Sequence, residues 1–329
     1  MSKARKRIRK ETYEPVGKHS AVQLCTWTKN SLRDEGECFK QKFYGIKSHQ
    51  CCQMTCSIFC NNRCIHCWRD ISNAQNKNIE NYDSPKEIIE GAIKAQRKLL
   101  TGFKINPHSK DKQLSKANQN KLKEAQDPTQ FAISLTGEPT LYPKIGELIS
   151  EIRKINCTSF LVTNGLQPEV IKNLIKTNFL PTRLYISVNT SNKEEYNKFH
   201  RSLKKDAWEK LNKTLKLISE IKQKNKTVFR INLVRDLNMN DKFISEFASL
   251  IKISKPFIIE IKGFMSVGFA RERLGYERMP IHREMLEWVK KLEKELTGTG
   301  YKLLDQHEFS RAYVLGKNKN DLKIKKEDY

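Results

Sequence analysis

Three cysteines stand within eight residues of one another, at Cys60, Cys64 and Cys67, with gaps of three and then two residues between them. Gaps of three and two residues leave no long loop for a disulfide to close. A structural zinc site takes four ligands, usually as two pairs. Three thiolates instead suit an iron–sulfur cube in which one iron remains open to a substrate. His66 lies inside this motif, where it is expected to pack beside the cluster rather than to ligate it.

A second set of cysteines is spaced more widely and more regularly. Cys25, Cys38 and Cys51 are separated by twelve residues each. Three ligands again favour a cube with an open iron, so we expect a second cluster here. Cys52 could replace Cys51 as the third ligand. Cys157 is expected to be a small buried hydrophobic residue.

The bulk composition describes a charged protein with a polyanionic partner. The 329 residues carry 62 Lys and Arg against 37 Asp and Glu, which leaves a net charge of +25, and the mean hydropathy is −0.67. This charge indicates a nucleic-acid partner, although a lysine-rich surface without such a role would give the same count. No apolar run approaches the roughly 20 residues that a membrane helix needs, and no secretory apolar stretch follows the basic N-terminus. A cytoplasmic protein, in which thiols stay reduced, is therefore expected.

Short apolar runs alternate with helical patterns along most of the chain. Residues typical of strands mark six candidates, at 54–60, 131–137, 159–165, 183–190, 228–234 and 257–264. One of the helical patterns between them begins at a capping box made by Ser84 and Glu87. Such alternation joins parallel strands through crossover helices. Six units are too few for a closed eight-stranded barrel, so the sequence predicts an α/β fold with an incomplete (β/α)6 TIM-type barrel.

Four regions are predicted along the chain. They are a basic arm at 1–20, an N-terminal extension with the second cluster at 21–53, the partial barrel at 54–265, and a C-terminal helix with terminal strands at 266–329. The barrel contains a polar insert at 101–128, which is too long for a plain connection. The stretches "YKLLDQHE" and "SRAYVLGK" are expected to form a hairpin or edge strands.

Several stretches resemble a known family. The C-x3-C-x2-C motif at the end of the first strand candidate resembles the signature of the radical S-adenosylmethionine (SAM) enzymes. Taken with the doubled C-x12-C, "SLTGEPTLYP" and "HEFS", which run in order between residues 25 and 310, it is similar to one branch, the tRNA 4-demethylwyosine synthases in their archaeal single-domain form. The resemblance implies a carbon–carbon lyase that condenses N1-methylguanosine at position 37 of tRNA-Phe with two carbons of pyruvate, using a 5′-deoxyadenosyl radical.

The resemblance also implies cofactors and partners. It predicts two 4Fe–4S clusters, SAM, pyruvate as co-substrate, an external one-electron donor of the flavodoxin or ferredoxin type, and a monomeric enzyme. The first cluster, on the C-x3-C-x2-C motif, would bind SAM through its open iron. Residues expected to hold SAM are Thr136, Gly137 and Glu138 for the methionine ammonium, and Asn164 and Ser187 for the carboxylate and the ribose.

Lys40 is the lysine that the resemblance singles out. It lies two positions after Cys38, in a stretch that matches the family, so it should project towards the second cluster. A lysine amine can form a Schiff base with a ketone such as pyruvate. Pyruvate oxygens could instead chelate the open iron of the second cluster, and the two arrangements are compatible. Lys29 is a second candidate for the same role.

Later strands carry polar residues that are expected to line the barrel mouth. Arg230, Glu260 and Lys262 lie on two strand candidates, and strand alternation puts Glu260 and Lys262 on one face. The opposite charges could equally form a structural ion pair. His307 lies in the family-like stretch "HEFS", in which Phe309 stands where the family has His.

RNA contacts are expected from basic segments and exposed aromatic residues. The segments Lys3–Lys10 and Lys110–Lys123 suit phosphates, and Trp68 and Phe103 could stack on bases. Two other classes of protein compete with this interpretation. One is a radical SAM enzyme that acts on peptides or small molecules, and the other is a non-catalytic RNA-binding module with structural metal sites.

Overall fold

The computed structural model describes residues 13–71, 74, 79–104, 117–221 and 227–328. The chain divides into two compact units. One consists of residues 1–58, 79–161 and 323–329, and the other of residues 59–78 and 162–322. None of the helices in the described ranges combines the length and the apolar character that crossing a membrane would take.

The first unit carries an N-terminal antiparallel ribbon that continues into parallel strands. Its strands, in hydrogen-bonded order, are β1 (Glu14–Val16), β2 (Ser20–Gln23), β3 (Cys51–Thr55), β4 (Gln130–Ile133) and β5 (Thr158–Thr163), of which the last two residues are assigned to the second unit. β1, β2 and β3 pair antiparallel, whereas β3, β4 and β5 pair parallel. The helices described in this unit are α1 (Thr26–Leu32), α2 (Phe39–Tyr44), α3 (Pro85–Leu100), α4 (Gln119–Glu124) and α5 (Ile145–Lys154).

Helix α3 begins as its sequence predicts. The Ser84 hydroxyl accepts a hydrogen bond from the Glu87 amide at 3.3 Å, and the Glu87 carboxylate accepts one from the Ser84 amide at 2.8 Å. This reciprocal capping box satisfies two amides that would otherwise lack partners. Ile88, Ile89 and Ala92 then lie on the buried face of the helix, which packs against α5.

The second unit combines parallel strands with a terminal hairpin. Its strands are β6 (Arg183–Ser187), β7 (Thr227–Leu233), β8 (Ile258–Gly263), β9 (Lys302–His307) and β10 (Ala312–Gly316), in the order β6–β7–β8–β10–β9. β6, β7 and β8 are parallel, and β10 pairs antiparallel with both β8 and β9. The helices described here are α6 (Pro168–Lys176), α7 (Lys193–His200), α8 (Ala207–Ser219), α9 (Ile244–Ser254), α10 (Phe269–Leu274) and α11 (His282–Glu295).

The predicted fold class is confirmed. Parallel strands alternate with helices, three such strands lie in each unit, and the terminal stretches form the expected hairpin. The first strand candidate was misplaced, because the strand covers Cys51–Thr55 rather than 54–60. The Thr55 hydroxyl donates to the carbonyls of Thr136 and Ser57, and the apolar residues that follow leave the ladder.

Two predicted boundaries also change. The arm at 1–20 extends too far: residues 1–12 lie outside the described ranges, but Tyr13 is buried and β1 begins at Glu14. The predicted insert at 101–128 contains a short 3-10 helix at Thr101–Phe103 and helix α4, while residues 105–116 lie outside the described ranges. The 3-10 helix and α4 are ordered because their apolar residues, Phe103 and Leu122 among them, pack in a small core cluster.

Candidate functional site

The C-x3-C-x2-C motif lies in the loop that follows β3 in the chain, within the second unit. Cys60, Cys64 and Cys67 form no disulfide and are half-buried. Burial raises the pKa of the Cys64 thiol well above its usual range, and charges on Cys60 and Cys67 raise this pKa further. The three sulfurs are thus near enough to repel one another as thiolates. A cationic group bound among them would replace the protons and remove that repulsion.

The backbone of this loop is held by helix α7. The amide of Arg63 donates to the carbonyl of His200 at 2.9 Å, and the amide of Ile65 donates to that of Phe199 at 3.0 Å. The His200 side chain also reaches the motif, since its Nδ1 lies 3.1 Å from Cys64 Sγ. The end of α7 therefore fixes both the path of the loop and the surroundings of its central cysteine.

His66 packs beside the motif, as its position suggested. Its ring lies 4.7 Å from the ring of Phe199, centroid to centroid, and its Nε2 lies 3.4 Å from Asn189 Nδ2. Burial lowers the pKa of His66 to about 3, and the positive charges of Arg273 and Arg230 contribute to this. The ring is therefore neutral at pH 7.

Arg273 fastens the loop from a second side, and sequence reasoning missed it. Its guanidinium donates to the carbonyl of Ile65 at 3.0 Å, to that of Arg69 at 3.2 Å, and to that of Cys67. A planar guanidinium can serve several acceptors at once, which a lysine cannot do in the same geometry. The residue lies in α10, more than 200 positions along the chain, and no motif marks it.

Gly268 allows α10 to approach the loop this closely. It adopts a left-handed φ of +56°, and a Cβ at this position would lie 2.4 Å from the carbonyl oxygen of Trp68. That same carbonyl accepts a hydrogen bond from the amide of Phe269 at 2.9 Å. Only glycine fits both the backbone conformation and the contact.

The second set of cysteines comes together in the first unit. Cys25 caps helix α1, Cys38 caps helix α2, and Cys51 begins strand β3. Burial raises the pKa of the Cys51 thiol well above its usual range; charge on Cys25 raises it further, and the positive charge of Lys40 opposes this. Cys25 Sγ also accepts a hydrogen bond from the Thr28 amide at 3.3 Å. Such N–H···S bonds stabilise a thiolate and tune a bound cluster.

The alternative ligand Cys52 faces away from this group. Neighbouring residues of a strand point to opposite faces, so Cys52 cannot share the face of Cys51. Burial, followed by charge on Cys157, raises the pKa of the Cys52 thiol far above its usual range. Cys157 is itself buried and donates to the carbonyl of Pro128 at 3.1 Å. Cys52 and Cys157 therefore belong to the packing of the sheet.

Both thiol sets suit a multi-iron cube in their chemistry. Within the described part of the chain, no three His, Cys, Asp or Glu side chains converge as one bound metal ion would need. A four-iron cube is a larger group that takes one thiolate at each of several irons. Three cysteines outside any disulfide, with an N–H donor to Cys25 Sγ in the second set, match that requirement. Cys60, Cys64 and Cys67 would hold one such group, and Cys25, Cys38 and Cys51 the other.

Lys40 is buried beside the second set, whereas Lys29 is not. Lys40 is 9% exposed, and its Nζ lies 4.7 Å from the centroid of the Phe160 ring. Its charge acts on Cys51, which places it beside the three thiols. The Lys29 side chain is exposed on α1. The geometry thus favours Lys40 as the lysine of this site.

The predicted SAM-binding residues occupy strand ends in both units. Gly137 has a left-handed φ of +70°, and Glu138 is 2% exposed, with its Oε1 accepting from the Thr140 amide at 3.1 Å and from the Thr140 hydroxyl at 2.6 Å. Thr136 accepts a hydrogen bond through its carbonyl from Thr55. In the second unit, Asn164 donates to Asn61 of the cysteine loop at 2.7 Å.

The residues predicted to line the mouth form two rows across the second unit. Ser187, Arg230 and Glu260 are in register on β6, β7 and β8. The next row joins Lys262 on β8, through Ala312 on β10, to His307 on β9. Strand alternation puts both rows on one face.

The first row contains the ion pair that the sequence left open. Arg230 Nε lies 3.6 Å from Glu260 Oε1, and Glu260 is fully buried. The guanidinium also stands 6.0 Å from the centroid of the Tyr185 ring. Arg230 and Glu260 therefore support each other, whatever ligand the face binds.

The aromatic residues predicted to stack on RNA are engaged in the protein. Phe103 packs against the core cluster that contains Leu24, and the Arg33 guanidinium lies 5.2 Å from its ring centroid. The Trp68 ring lies 3.3 Å from the guanidinium carbon of Arg69. Phe103 thus contributes to the local core, and its stacking on a base stays a prediction.

Comparisons with known proteins agree with this arrangement. Residues 54–248 match the sequence model described as the radical SAM superfamily, and residues 253–317 match the one described as wyosine base formation. The chain therefore belongs to the radical SAM superfamily. It is 41% identical, over 94% of its own length and 86% of the relative's, to the S-adenosyl-L-methionine-dependent tRNA 4-demethylwyosine synthase of Pyrococcus horikoshii. Within the superfamily, the chain is a member of this synthase family.

Solved structures of the family have the same fold. A structure of TYW1 with a lysine–pyruvate adduct bound is 34% identical, with a TM-score of 0.82, and the match covers 99% of this chain and 98% of that one. A crystal structure of archaeal TYW1 is 31% identical, with a TM-score of 0.74 over 98% and 99% of the two chains. A non-catalytic RNA-binding module is thereby excluded as the class of this protein.

Proposed function

We propose that this protein is a tRNA 4-demethylwyosine synthase that condenses N1-methylguanosine at position 37 of tRNA-Phe with two carbons of pyruvate. The observation that carries the proposal is the burial of Lys40 beside Cys25, Cys38 and Cys51. In the similar structure described as a lysine–pyruvate adduct, a lysine binds pyruvate covalently. The family membership and the net charge of +25 support an RNA substrate.

Lys40 binds pyruvate in this proposal. Its amine attacks the ketone carbon of pyruvate, and a Schiff base forms with loss of one water molecule. The burial of Lys40 and its contact with the Phe160 ring limit the access of water that would hydrolyse the adduct. The helix that carries Lys40 begins at Cys38, so the adduct stays beside the thiol set. A cluster held there would bind the carboxylate of the adduct, because the ketone oxygen has left as water.

The cysteine loop of the second unit is proposed to hold the cluster that binds SAM. When bound, that cluster supplies the electron for reductive cleavage of SAM to a 5′-deoxyadenosyl radical. Cys60, Cys64 and Cys67 would hold it, and α7 and Arg273 fix the loop that presents them. Contacts of SAM with Thr136, Gly137, Glu138, Asn164 and Ser187, and of substrate with Lys262 and His307, remain predictions.

The partners beyond tRNA are inferred from the chemistry. The reaction needs a one-electron donor of the flavodoxin or ferredoxin type, and we expect the enzyme to work as a monomer in the cytoplasm. The alternative radical enzyme acting on peptides or small molecules has less support, because the relatives are tRNA synthases of this family along almost the whole chain.

Adduct trapping tests the proposal directly. Wild-type protein treated with pyruvate and borohydride should carry a pyruvate-derived mass on the peptide that contains Lys40. Lys40→Arg should abolish the mass and the tricyclic base product, whereas Lys42→Arg, at an exposed position of the same helix, should leave both. A trapped adduct on Lys29, or product formation by Lys40→Arg, would contradict the assignment.

Iron analysis tests the two thiol sets. After anaerobic reconstitution, the wild type should contain about eight irons per chain and the triple variant Cys25→Ala/Cys38→Ala/Cys51→Ala about four. Cys52→Ala should keep about eight, because Cys52 lies on the opposite face of its strand. About four irons in the wild type would refute the second cluster.

A further inference from the structure

Two loops of the second unit present a bare apolar surface. Phe309, in the turn between β9 and β10, is 85% exposed, and Met265 and Val267, in the loop after β8, are each 42% exposed. Arg311 joins the two loops, since its Nη1 lies 3.9 Å from Met265 Sδ and its carbonyl accepts from the Gly263 amide at 2.9 Å. We call these four side chains, Met265, Val267, Phe309 and Arg311, the loop patch.

The loop patch lies at the substrate end of its sheet. β8 ends at Gly263, and its Lys262 is in register with Ala312 and, beyond it, with His307. The row that ends in His307 is therefore followed directly by the turn that carries Phe309. In folds with parallel strands, ligands bind at the carboxyl ends of those strands. A large substrate whose reacting base enters there must pass over these two loops.

Two buried hydroxyl groups next to the loop patch have no hydrogen-bond partner in the part of the chain that the structure describes. Ser266 is 2% exposed and Ser310 is 3% exposed, and the Oγ atoms of both lack a hydrogen-bond partner among the described residues. Most buried polar atoms in proteins have a hydrogen-bond partner, so a pair of unsatisfied hydroxyls calls for a partner from outside the chain, such as a water molecule or a ligand. The loops thus combine an exposed ring, a cation and unused polar atoms.

We propose that the loop patch binds the unstacked nucleotides next to the target base, with a base stacked on Phe309 and a phosphate beside Arg311. This inference rests on the proposed tRNA substrate. An enzyme that modifies a base must withdraw it from its stack, and the neighbours then expose their faces. Aromatic rings and arginine planes are the groups that proteins use to bind such faces in RNA loops. A protein electron carrier would need a broad charged surface instead of an exposed ring flanked by apolar side chains.

Binding of a tRNA-Phe transcript with N1-methylguanosine at position 37 tests the proposal. Loss of one base–aromatic stack by Phe309→Ala should raise Kd by at least about fivefold. Phe309→Trp should bind as the wild type does, and Phe309→Leu should resemble Phe309→Ala, because leucine is apolar but has no ring to stack. The control is Ile253→Ala, which removes another exposed apolar side chain, 46% exposed, from the end of α9, before β8 begins.

The salt dependence separates the two contacts. Phe309→Ala should leave the slope of log Kd against log salt unchanged, whereas Arg311→Gln should reduce it by about one phosphate contact. If Phe309→Ala binds the transcript as tightly as the wild type, the inference is wrong. The inference is also wrong if Phe309→Ala has reduced activity with a flavodoxin or ferredoxin as reductant but wild-type activity with dithionite.

These outcomes are distinct from failure of the proposed function. A wild-type protein that forms no tricyclic base on this transcript would overturn the function itself. A wild type that forms the base, with a Phe309→Ala variant that shows the wild-type Kd and KM for tRNA, would overturn the loop patch alone.

Discussion

Replacing Arg273 by glutamine should loosen the cysteine loop without unfolding the protein. The guanidinium donates to three loop carbonyls, and a hydrogen bond from a charged group contributes about 1.5–3 kcal/mol. Arg273 is half-buried, so water replaces part of each bond, and bonds from one group do not add fully. We therefore expect a loss of about 2–3 kcal/mol in the free energy of loop opening. This corresponds to an opening equilibrium about 30 to 150 times larger.

Hydrogen exchange of the metal-free protein measures this opening. The amides of Arg63 and Ile65 are protected by their bonds to α7, and a peptide covering residues 60–70 reports on both. Exchange should accelerate by the factor above in Arg273→Gln and remain unchanged in Arg271→Gln, which alters another arginine of α10. Wild-type protection in Arg273→Gln would show that the hydrogen bonds of Arg273 do not stabilise the loop, because this experiment measures only the opening of the loop.

Arg273→Lys separates the effect of the hydrogen bonds to the loop carbonyls from the effect of the positive charge. Lysine keeps a positive charge near the loop but cannot serve three carbonyls in one plane. In the reconstituted protein, the midpoint potential of the loop cluster should fall in Arg273→Gln, which removes the cation, and stay near the wild-type value in Arg273→Lys. Loop exchange should be fast in both. Equal potentials in all three proteins would contradict an electrostatic contribution of this arginine.

Three further predictions concern stability. Burial lowers the pKa of His19 in the folded protein. At a pH below the ordinary histidine pKa, the unfolded chain therefore binds more protons at this residue than the folded protein does. The stability it contributes is complete above about pH 6.5 and falls below it by at most about 1.4 kcal/mol per pH unit, and His19→Gln should lose this dependence in urea unfolding. Glu260→Gln should cost about 3 kcal/mol, and the double variant with Arg230→Met should recover most of it, because breaking a buried ion pair costs more than replacing it. Gly268→Ala should lower both iron content and Tm, whereas Gly298→Ala, at a left-handed φ of +83° in open space, should lower Tm by the backbone strain alone.

The sequence predicts the parallel strands well because their burial leaves a simple signal. Each of the five later strands is a short run of β-branched and aromatic residues, and each lies within a few residues of its predicted place. The first strand was misplaced because "SIF" is apolar but is not paired in the ladder. β1 and β2 were missed since three or four residues with a Pro or a Gln give too little alternation to notice.

The same distinction applies to the site, where residues with a characteristic spacing were predicted and contacts between distant residues were not. The spacing of Cys25, Cys38 and Cys51 pointed to one group, and the structure brings them together with Lys40. Contacts between residues that are distant in the sequence could not be predicted in this way. The three bonds of Arg273 depend on the approach of two segments, and the rows through Ser187 and Lys262 depend on strand register. Neither can be read from one position.

The distance along the chain between the cysteine loop and its supports sets an order of events during translation. The carbonyls that hold the loop lie at positions 199 and 200, and Arg273 lies 208 residues after Ile65. A ribosome that adds roughly 5–20 residues per second therefore exposes the three thiols for roughly 10–40 s before the last of these supports, Arg273, emerges. Iron delivered in that interval would meet a loop with no fixed shape. We therefore expect cluster insertion to follow release of the chain, and nascent chains halted before α10 to keep thiols open to oxidation.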